Sequence, residues 1–251
     1  MTMHPLTPGT EPDRPLFGGW VTERSRSTVV AYAAAGFDFV CLDCQHSELD
    51  ETRAAELLRS DPAPQTPVMV RVSDNRQALI GRVLDAGAVG VIVPDIDDAS
   101  DAERAVAATR YPPAGQRSFG PTRDDLPRDP RLLEDRVVCL VMIETARALA
   151  NLDDICRVSG LAGVLVGPGD LSISCGLAPE RAFSSGQLDD VMARIAAACV
   201  ENDLIFGAYA TDVASAARWR AHGCDLIPVG SGTRLLRSAA SDLNHVLRRS
   251  N

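Results

Sequence analysis

The feature that most constrains the fold of this chain is a repeat of short apolar runs, separated by segments with helical spacing. Eight such runs occur, at residues 16–21, 37–43, 67–71, 89–94, 137–144, 162–167, 204–209 and 224–230. The segments between them carry apolar residues at helical spacing, and several end in glycine, as helices often do. This alternation, without a break in composition, predicts a single (β/α)8 barrel, with a doubly wound parallel sheet as the weaker alternative.

The length of 251 residues agrees with one domain, because α/β barrels routinely use about 250 residues. We predict an N-terminal tail at residues 1–14 and one barrel domain at residues 15–251. Two connections, residues 111–135 and 172–186, are longer than a barrel needs and are rich in proline, glycine and charge. They are typical of lids or subunit contacts, with a solvated excursion as the alternative.

Composition narrows the class of partner. The net charge of −9 argues against nucleic-acid binding, which needs basic surface, and favours small molecules. No apolar stretch reaches the roughly 18 residues of a membrane span, and no signal peptide is evident, so we expect a cytoplasmic protein with no membrane partner. The seven cysteines favour reduced thiols. Cys41 and Cys44 match CxxC, but a strand turns residues three apart to opposite faces.

In a barrel of this kind the catalytic groups lie where the strands end at their carboxyl side. The polar residues that close the predicted strands are therefore the candidates for a functional site. They are Asp43 at the end of the second run with Gln45 and His46 after it, Arg71 at the end of the third run, Glu144 at the end of the fifth and Asp170 after the sixth.

Glu144 and Asp170 follow neighbouring strands, so their carboxylates should face one cavity. Two carboxylates with few other ligands suit a hard divalent cation such as Mg²⁺ or Mn²⁺. An acid pair used for proton transfer, or one acid capping the next helix, is the alternative. Zinc is less favoured, because His46 is the one histidine among four that is placed to serve as a ligand.

Arg71 and His46 carry the remaining chemistry. A permanently charged guanidinium at a cavity mouth predicts an anion or an oxygen that gathers negative charge, with a salt bridge to a barrel acid as the alternative. An imidazole, with an ordinary pKa of about 6.5, suits proton transfer, and a structural histidine is the alternative. The glycines in "GPGD", beside Asp170, expose N–H groups suited to a small carboxylate.

Five stretches together resemble one known family. They are "GFDFVCLDCQHSELD", "VRVSDNRQALIGRVLDAGAVGVIVP", "RYPPAGQRSFGP", "VMIET" and "GVLVGPGDLS", in this order from about Gly18 to Leu236. The chain is identified on these motifs as similar to the HpcH/HpaI family of class II pyruvate-specific aldolases. That family includes 4-hydroxy-2-oxo-heptanedioate aldolase and 2-dehydro-3-deoxyglucarate aldolase.

The resemblance implies a (β/α)8 barrel that assembles as a homo-oligomer, a hexamer or a trimer. It implies reversible cleavage of a 4-hydroxy-2-oxo acid to pyruvate, or a related 2-oxo acid, and an aldehyde. Mg²⁺, Mn²⁺ or Co²⁺ would be held at the positions matching Glu144 and Asp170. Pyruvate would chelate this metal through its carboxylate and keto oxygens, and the amides of Gly169 and Asp170 would contact the carboxylate.

The resemblance also assigns roles to the other candidates. Arg71 would stabilise the enolate oxygen with the metal, and His46 would take the proton of the 4-hydroxyl. The family's histidine is oriented by an acid that matches Asp85. Because Asp85 ends a helix before the fourth strand, it should lie at the far end of its own barrel, and a neighbouring subunit could supply it instead; Asp43 is the local alternative. Further candidates for substrate binding are Trp20 and Gln45.

The sequence departs from the family pattern at two places. It reads Asp43-Cys44-Gln45-His46 where relatives commonly read D-G-E-H, and it has Met142 where they commonly have glutamine. A CoA-ester lyase of the citrate-lyase β-subunit type is the alternative function, and a binding barrel without catalysis is a third. The D-x-x-H end of the second run and "RYPPAGQR" favour the aldolase.

Overall fold

The computed structural model describes residues 6, 14–60, 66–179, 183 and 186–249. Within them, eight parallel strands form a closed barrel in sequence order, and the last strand also pairs with the first. The predicted (β/α)8 barrel is confirmed, and each predicted run is shortened by at most two residues at either end. The strands are Leu16–Val21 (β1), Phe39–Asp43 (β2), Val68–Arg71 (β3), Gly90–Val93 (β4), Val138–Ile143 (β5), Gly163–Val166 (β6), Ile205–Ala208 (β7) and Leu226–Val229 (β8).

Helices follow the strands around the outside of the barrel. Several begin at an aspartate, Asp50, Asp98 or Asp212, whose side chain accepts a hydrogen bond from the backbone N–H three residues on, which is the usual N-cap arrangement. No helix in the described part of the chain has the length and apolar character needed to cross a membrane. The helices are Arg26–Ala34 (α1), Glu51–Leu58 (α2), Gln77–Asp85 (α3), Ala99–Thr109 (α4), Pro130–Glu134 (α5), Ala146–Ala150 (α6), Leu152–Cys156 (α7), Pro168–Ser174 (α8), Asp189–Glu201 (α9), Val213–Ala221 (α10) and Gly232–Arg249 (α11), with a 3₁₀ turn at Gly186–Leu188.

Alternation along the strands divides the core into two layers. Residues such as Phe39, Met69 and Met142 fill the barrel interior, while their chain neighbours pack outward against the helices. Cys41 belongs to the interior cluster and Cys44 to the outer one, so the CxxC spacing does not pair them. All seven cysteines are free.

The same alternation decides which polar residues reach the mouth, by which we mean the end of the barrel where the strands finish. Met69 and Met142 point into the barrel, and two residues further along their strands stand Arg71 and Glu144. Cys41 points inward in β2, and two residues on stands Asp43. A period of two residues therefore turns all three polar side chains toward the barrel axis.

The two long connections differ. Residues 111–135 contain α5 and a small apolar cluster of Tyr111, Leu126 and Leu133. Of residues 172–186, positions 180–182, 184 and 185 lie outside the described residues. The predicted tail at 1–14 also falls largely outside them, although Leu6 is buried in the interior cluster. The division into residues 1–14 and 15–251 therefore stays a prediction.

The C-terminal helix α11 is unlike the helices before it. It is 18 residues long and none of its residues is buried. A groove of about 510 Å³ lies between α10 and the segment that follows α1, against β1 and β8, where the eighth helix of a barrel would pack. Phe17, Phe37 and Ala216 are among its lining residues. Exposed apolar side chains on α11 are Leu235, Leu236, Leu243, Val246 and Leu247.

Candidate active site

Arg71 and Asp43 form a buried pair at the mouth. They are register partners on β3 and β2, and only 7% of Arg71 and 1% of Asp43 is exposed. Arg71 Nε donates to Asp43 Oδ1 at 2.8 Å and Nη2 donates to Oδ2 at 2.7 Å. This two-bond geometry fixes the plane of the guanidinium as well as its position. The salt bridge between Arg71 and an acid of the barrel, which was the alternative prediction from the sequence, is therefore present.

Three further groups hold the Asp43 carboxylate. Trp20 Nε1 donates to Oδ2 at 3.2 Å, and the backbone N–H groups of Gln45 and His46 donate to Oδ1. The Trp20 ring also lies 5.1 Å from the Arg71 guanidinium carbon, within the range of a cation–π contact. Burial alone would raise the pKa of Asp43, but the hydrogen bonds and charge of Arg71, with these amides, outweigh it and lower the pKa.

Arg71 keeps one donor group directed elsewhere. Its Nη1 lies 3.9 Å from Met142 Sδ, and a thioether sulfur is a weak acceptor. Burial alone would lower the pKa of Arg71, but Asp43 raises it, so the side chain stays charged. The Nη1 edge is therefore the part of the guanidinium that can bind a stronger acceptor.

Glu144 is the buried acid of the site. It follows β5 and is 4% exposed, and its Oε1 accepts a hydrogen bond from the backbone N–H of Asp95 at 2.9 Å. A side chain at Gly167 would place Cβ 3.0 Å from Glu144 Oε2, so glycine at this position leaves room for the carboxylate. Burial raises the pKa of Glu144, and the charges of Asp95 and Asp170 raise it further. The hydrogen bond from the Asp95 amide and the charge of Arg71 lower this pKa, but they do not outweigh the other effects. A cation beside it would stabilise the ionised form.

Asp170 lies in the first turn of α8, which follows β6, the strand next to β5, and it is exposed. The first N–H groups of a helix have no acceptor within the helix, so the turn containing Gly169 and Asp170 offers donors to a ligand. A Cβ at Gly169 would meet nothing within 4 Å, so open space borders this turn. Among the described residues, no group of three or more histidine, cysteine or acidic side chains is arranged to hold a metal ion.

His46 and Gln45 follow β2 at the same mouth. His46 is exposed, and its imidazole makes no hydrogen bond or ion pair among the described residues. The Oε1 atom of Gln45 is buried and has no donor in that part of the chain. Buried acceptors are nearly always paired, so this atom is suited to a bound polar ligand or a water molecule.

Asp85 lies at the end of α3, before β4 begins, and therefore at the opposite end of the barrel from His46. Its Oδ1 accepts a hydrogen bond from Arg117 Nη2 at 2.9 Å. Asp85 also lines a cavity of about 550 Å³ with Arg59 and Arg82. Within one chain, the structure does not bring Asp85 to His46, as the sequence predicted from its position.

One residue of this site was missed by reasoning from the sequence. Asp95 directly follows the fourth apolar run, and its backbone N–H donates to Glu144. The signal was present, because the rule that selects polar residues after each strand also selects Asp95. Gly167 was likewise not singled out, since its importance depends on its distance from Glu144.

Comparisons with known proteins bear on the fold and the family of this chain. A family model described as HpcH/HpaI aldolase/citrate lyase matches residues 16–239. A 4-hydroxy-2-oxo-heptane-1,7-dioate aldolase of Salmonella typhimurium is 34% identical over 239 residues, covering 92% of this chain and 89% of that protein. A hydroxypyruvate/pyruvate aldolase of Rhizorhabdus wittichii is 38% identical over 169 residues, covering 66% and 67%. The crystal structure of an HpcH/HpaI aldolase/citrate lyase family protein from Burkholderia cenocepacia has a TM-score of 0.81 and 32% identity, covering 93% and 95%.

Proposed function

The chain belongs to the HpcH/HpaI aldolase/citrate lyase family, and from this premise we propose that it reversibly cleaves a 4-hydroxy-2-oxo acid to pyruvate, or a related 2-oxo acid, and an aldehyde. The family resemblance, the barrel and the class of carbon–carbon lyase, all predicted from the sequence, are confirmed. The observation that carries the proposal is the meeting of an oriented, charged Arg71 and a buried Glu144 at one mouth.

We propose that Glu144 and Asp170 hold a divalent cation, Mg²⁺, Mn²⁺ or Co²⁺. The residues fit such an ion, because Glu144 Oε2 accepts no hydrogen bond from the described residues and a nearby positive charge would offset the burial of this acid. Mg²⁺ is commonly bound through one or two carboxylates, with water and substrate oxygens completing its coordination. When bound, the cation would act as a Lewis acid that stabilises negative charge on the oxygens of the oxo acid.

The side chains of this protein then divide the remaining work. The first-turn amides of Gly169 and Asp170 bind the carboxylate of the oxo acid. As the bond between its third and fourth carbons breaks, the bonding electrons pass to the keto oxygen, and Arg71 Nη1 donates to this developing enolate. Asp43 and Trp20 hold Arg71 in the required plane.

The proton of the 4-hydroxyl passes to His46, directly or through a water, as the aldehyde forms, and returns in the direction of synthesis. The imidazole is exposed and has no partner among the described residues, so it is free to make this contact. Gln45 Oε1 offers an acceptor to a substrate hydroxyl at the same strand end.

We further propose that the chain forms a homo-oligomer, a hexamer or a trimer. Two features support assembly. None of the residues of α11 is buried among the described residues, and the groove between α10 and the segment after α1 has the position of a missing eighth helix. A neighbouring subunit would also supply Asp85 to orient His46. Asp43, the alternative within the chain, already has its carboxylate engaged by Arg71.

Two other readings remain testable. The family description includes citrate lyases, so cleavage of malyl-CoA or citramalyl-CoA would favour the CoA-ester lyase. Metal binding without enolisation of pyruvate would favour a binding barrel. A cytoplasmic location stays a prediction of the sequence, with which the free cysteines agree.

Metal removal provides the test of the main proposal. Purified protein is stripped with EDTA and then supplied with Mg²⁺, Mn²⁺ or Co²⁺, while cleavage of a 4-hydroxy-2-oxo acid and deuterium exchange of the pyruvate methyl group are followed. We expect both activities to vanish on stripping and to return with metal. Glu144→Gln should stay folded but behave like stripped protein.

Glu51→Gln is the matched control, because Glu51 is also buried and is bonded to Ser73 away from the candidate ligands. It should keep metal-dependent activity. Full activity in stripped protein that contains no metal by elemental analysis would overturn the metal proposal. Absence of both cleavage and exchange in metal-loaded wild type would overturn the aldolase.

A further inference from the structure

Asp95 closes β4 and lies against the buried acid of the candidate site. The strand ends at Val93, Pro94 is buried, and the Asp95 backbone N–H donates to Glu144 Oε1 at 2.9 Å. This bond fixes the position of the Asp95 backbone relative to Glu144. Asp95 is therefore part of the wall of the mouth.

The backbone conformation of Asp95 explains why a small polar residue occupies this position, but it does not explain why that residue is charged. Its φ is 57°, in the left-handed region that glycine adopts freely and that aspartate and asparagine tolerate better than other residues. Asparagine or glycine would allow the same backbone hydrogen bond to Glu144. The negative charge at this position therefore calls for a separate reason.

The side chains of the other acids in the β4–α4 connection have partners, whereas the Asp95 carboxylate has none in the described part of the chain. Asp97 accepts a hydrogen bond from Thr145 Oγ1 at 2.5 Å, and Asp98 pairs with Arg147 at 2.8 Å. The Asp95 side chain is exposed, and its carboxylate has neither a hydrogen bond nor an ion pair among the residues that the structure describes. Because the Asp95 backbone is bonded to Glu144 at the wall of the mouth, this carboxylate adds a negative charge beside the candidate site.

The order of the strands indicates which part of the substrate meets this charge. His46 follows β2, Arg71 ends β3 and Asp95 follows β4. The turn with Gly169 follows β6, and Glu144, directly after β5, stands between these two flanks. In the proposed reaction the carboxylate of the oxo acid faces the Gly169 flank and the 4-hydroxyl faces His46. The aldehyde portion therefore lies on the flank of Asp95.

We propose that Asp95 selects the aldehyde by charge: it disfavours aldehydes that carry a distal carboxylate and favours neutral hydroxylated or cationic ones. This inference rests on the proposed aldolase function and specifies its second substrate. A single charge a few ångströms from a ligand in a partly solvated mouth changes relative rates by about five- to tenfold.

The test compares kcat/KM for aldol addition of pyruvate to succinic semialdehyde, which is anionic, and to glycolaldehyde, which is neutral. Metal-loaded wild type is measured beside Asp95→Asn and Asp95→Gly, both of which tolerate the left-handed backbone. We expect the ratio of the two kcat/KM values to shift toward succinic semialdehyde by about five- to tenfold in both variants. In wild type, added salt should shift the ratio in the same direction, because it screens the charge.

Asp98→Asn is the matched control, since it removes a charge from the same connection but keeps an N-cap residue. Its ratio should stay within about twofold of wild type. An unchanged ratio in both Asp95 variants, or an equal shift in Asp98→Asn, would overturn the inference. Methyl exchange of pyruvate needs no aldehyde and therefore separates the two proposals. If wild type exchanges these protons but the ratio of kcat/KM values is unchanged in the Asp95 variants, only the charge selection is refuted. If wild type shows neither exchange nor cleavage, the aldolase itself is refuted.

Discussion

Two pairs at opposite ends of this barrel, Arg71 with Asp43 and Arg117 with Asp85, each join a buried arginine to an aspartate beside an aromatic ring. At the mouth, Arg71 uses two N–H groups on both oxygens of Asp43. At the far end, Arg117 donates once to Asp85, and its Nε and Nη1 atoms are buried without an acceptor among the described residues. The guanidinium carbons lie 5.1 Å from the Trp20 ring and 4.8 Å from the Tyr111 ring, respectively.

The difference shows how one residue pair can serve two purposes. In the first pair the carboxylate is fully engaged, so its effect is to orient the arginine for a ligand. In the second pair the arginine holds one oxygen of Asp85, and the carboxylate still borders an open cavity. The mouth pair is complete within one chain, whereas the far pair leaves a carboxylate available to another molecule.

The strongest test asks whether the two ends form one active site across subunits. His46→Ala should lower aldol cleavage by about 10²- to 10⁴-fold, the usual contribution of a positioned acid or base. Asp85→Ala should lower it as well, if Asp85 orients the histidine of a neighbour. When these inactive variants are mixed and allowed to exchange subunits, part of the activity should return, because some sites then combine both intact residues.

Subunit exchange is verified by native mass spectrometry of isotopically labelled chains. As a control, His46→Ala mixed with Arg71→Lys should not recover, since His46 and Arg71 lie at the same mouth of one chain. No recovery with Asp85→Ala despite exchange would make the far pair purely structural. Near-normal cleavage by His46→Ala would show that His46 does not transfer the proton of the 4-hydroxyl.

The next test separates the two arginines. Arg71→Lys keeps the charge but loses the two-bond fork, so deuterium exchange of the pyruvate methyl group should fall by about 10²- to 10³-fold, as when an oxyanion donor is removed. Arg117→Lys should have a much smaller effect on this half-reaction, because it lies at the far end. Exchange is measured by nuclear magnetic resonance, and an equal loss of exchange in the two variants would contradict the division of roles. Unchanged exchange in Arg71→Lys, together with a lowered melting temperature, would show that Arg71 is structural.

A smaller effect is expected in the acid stability of the mouth pair. Folding lowers the pKa of Asp43. The ionised carboxylate therefore stabilises the fold at pH values above its pKa in the unfolded chain, about 3.9. This stabilisation is lost as the pH falls through the pKa of the folded state. Asp43→Asn should therefore lower the melting temperature most near neutral pH and progressively less below about pH 4. Thermal unfolding from acid to neutral pH measures this, and a pH-independent difference would refute it.

The smallest expected effect concerns the free edge of Arg71. Met142→Gln offers Nη1 a strong acceptor that competes with the enolate oxygen, so pyruvate exchange should fall by about two- to tenfold, the value of one hydrogen bond. Met142→Leu has nearly the same volume and no such acceptor, and should leave exchange unchanged. An equal loss in both variants would point to packing inside the barrel.

Much of the site could be predicted because strand periodicity is local. The runs that end in Asp43, Arg71 and Glu144 alternate inward and outward, so position along the strand suffices to place these side chains at the mouth. The same regularity predicted that Asp85 lies at the opposite end from His46. Asp95 follows β4 in the same way, so the same rule also places it at the mouth.

By itself, the sequence determined the eight-fold alternation of strand and helix, the order of the family motifs and the set of polar residues at the strand ends. Only the tertiary structure decided which of these residues pair: Asp43 with Arg71, and Glu144 with the Asp95 backbone. It also showed that, in the described part of the chain, no residue of α11 is buried. The physical reason is that alternation depends on neighbours along one chain segment, whereas hydrogen-bond partners and burial depend on strand register and on packing between distant segments.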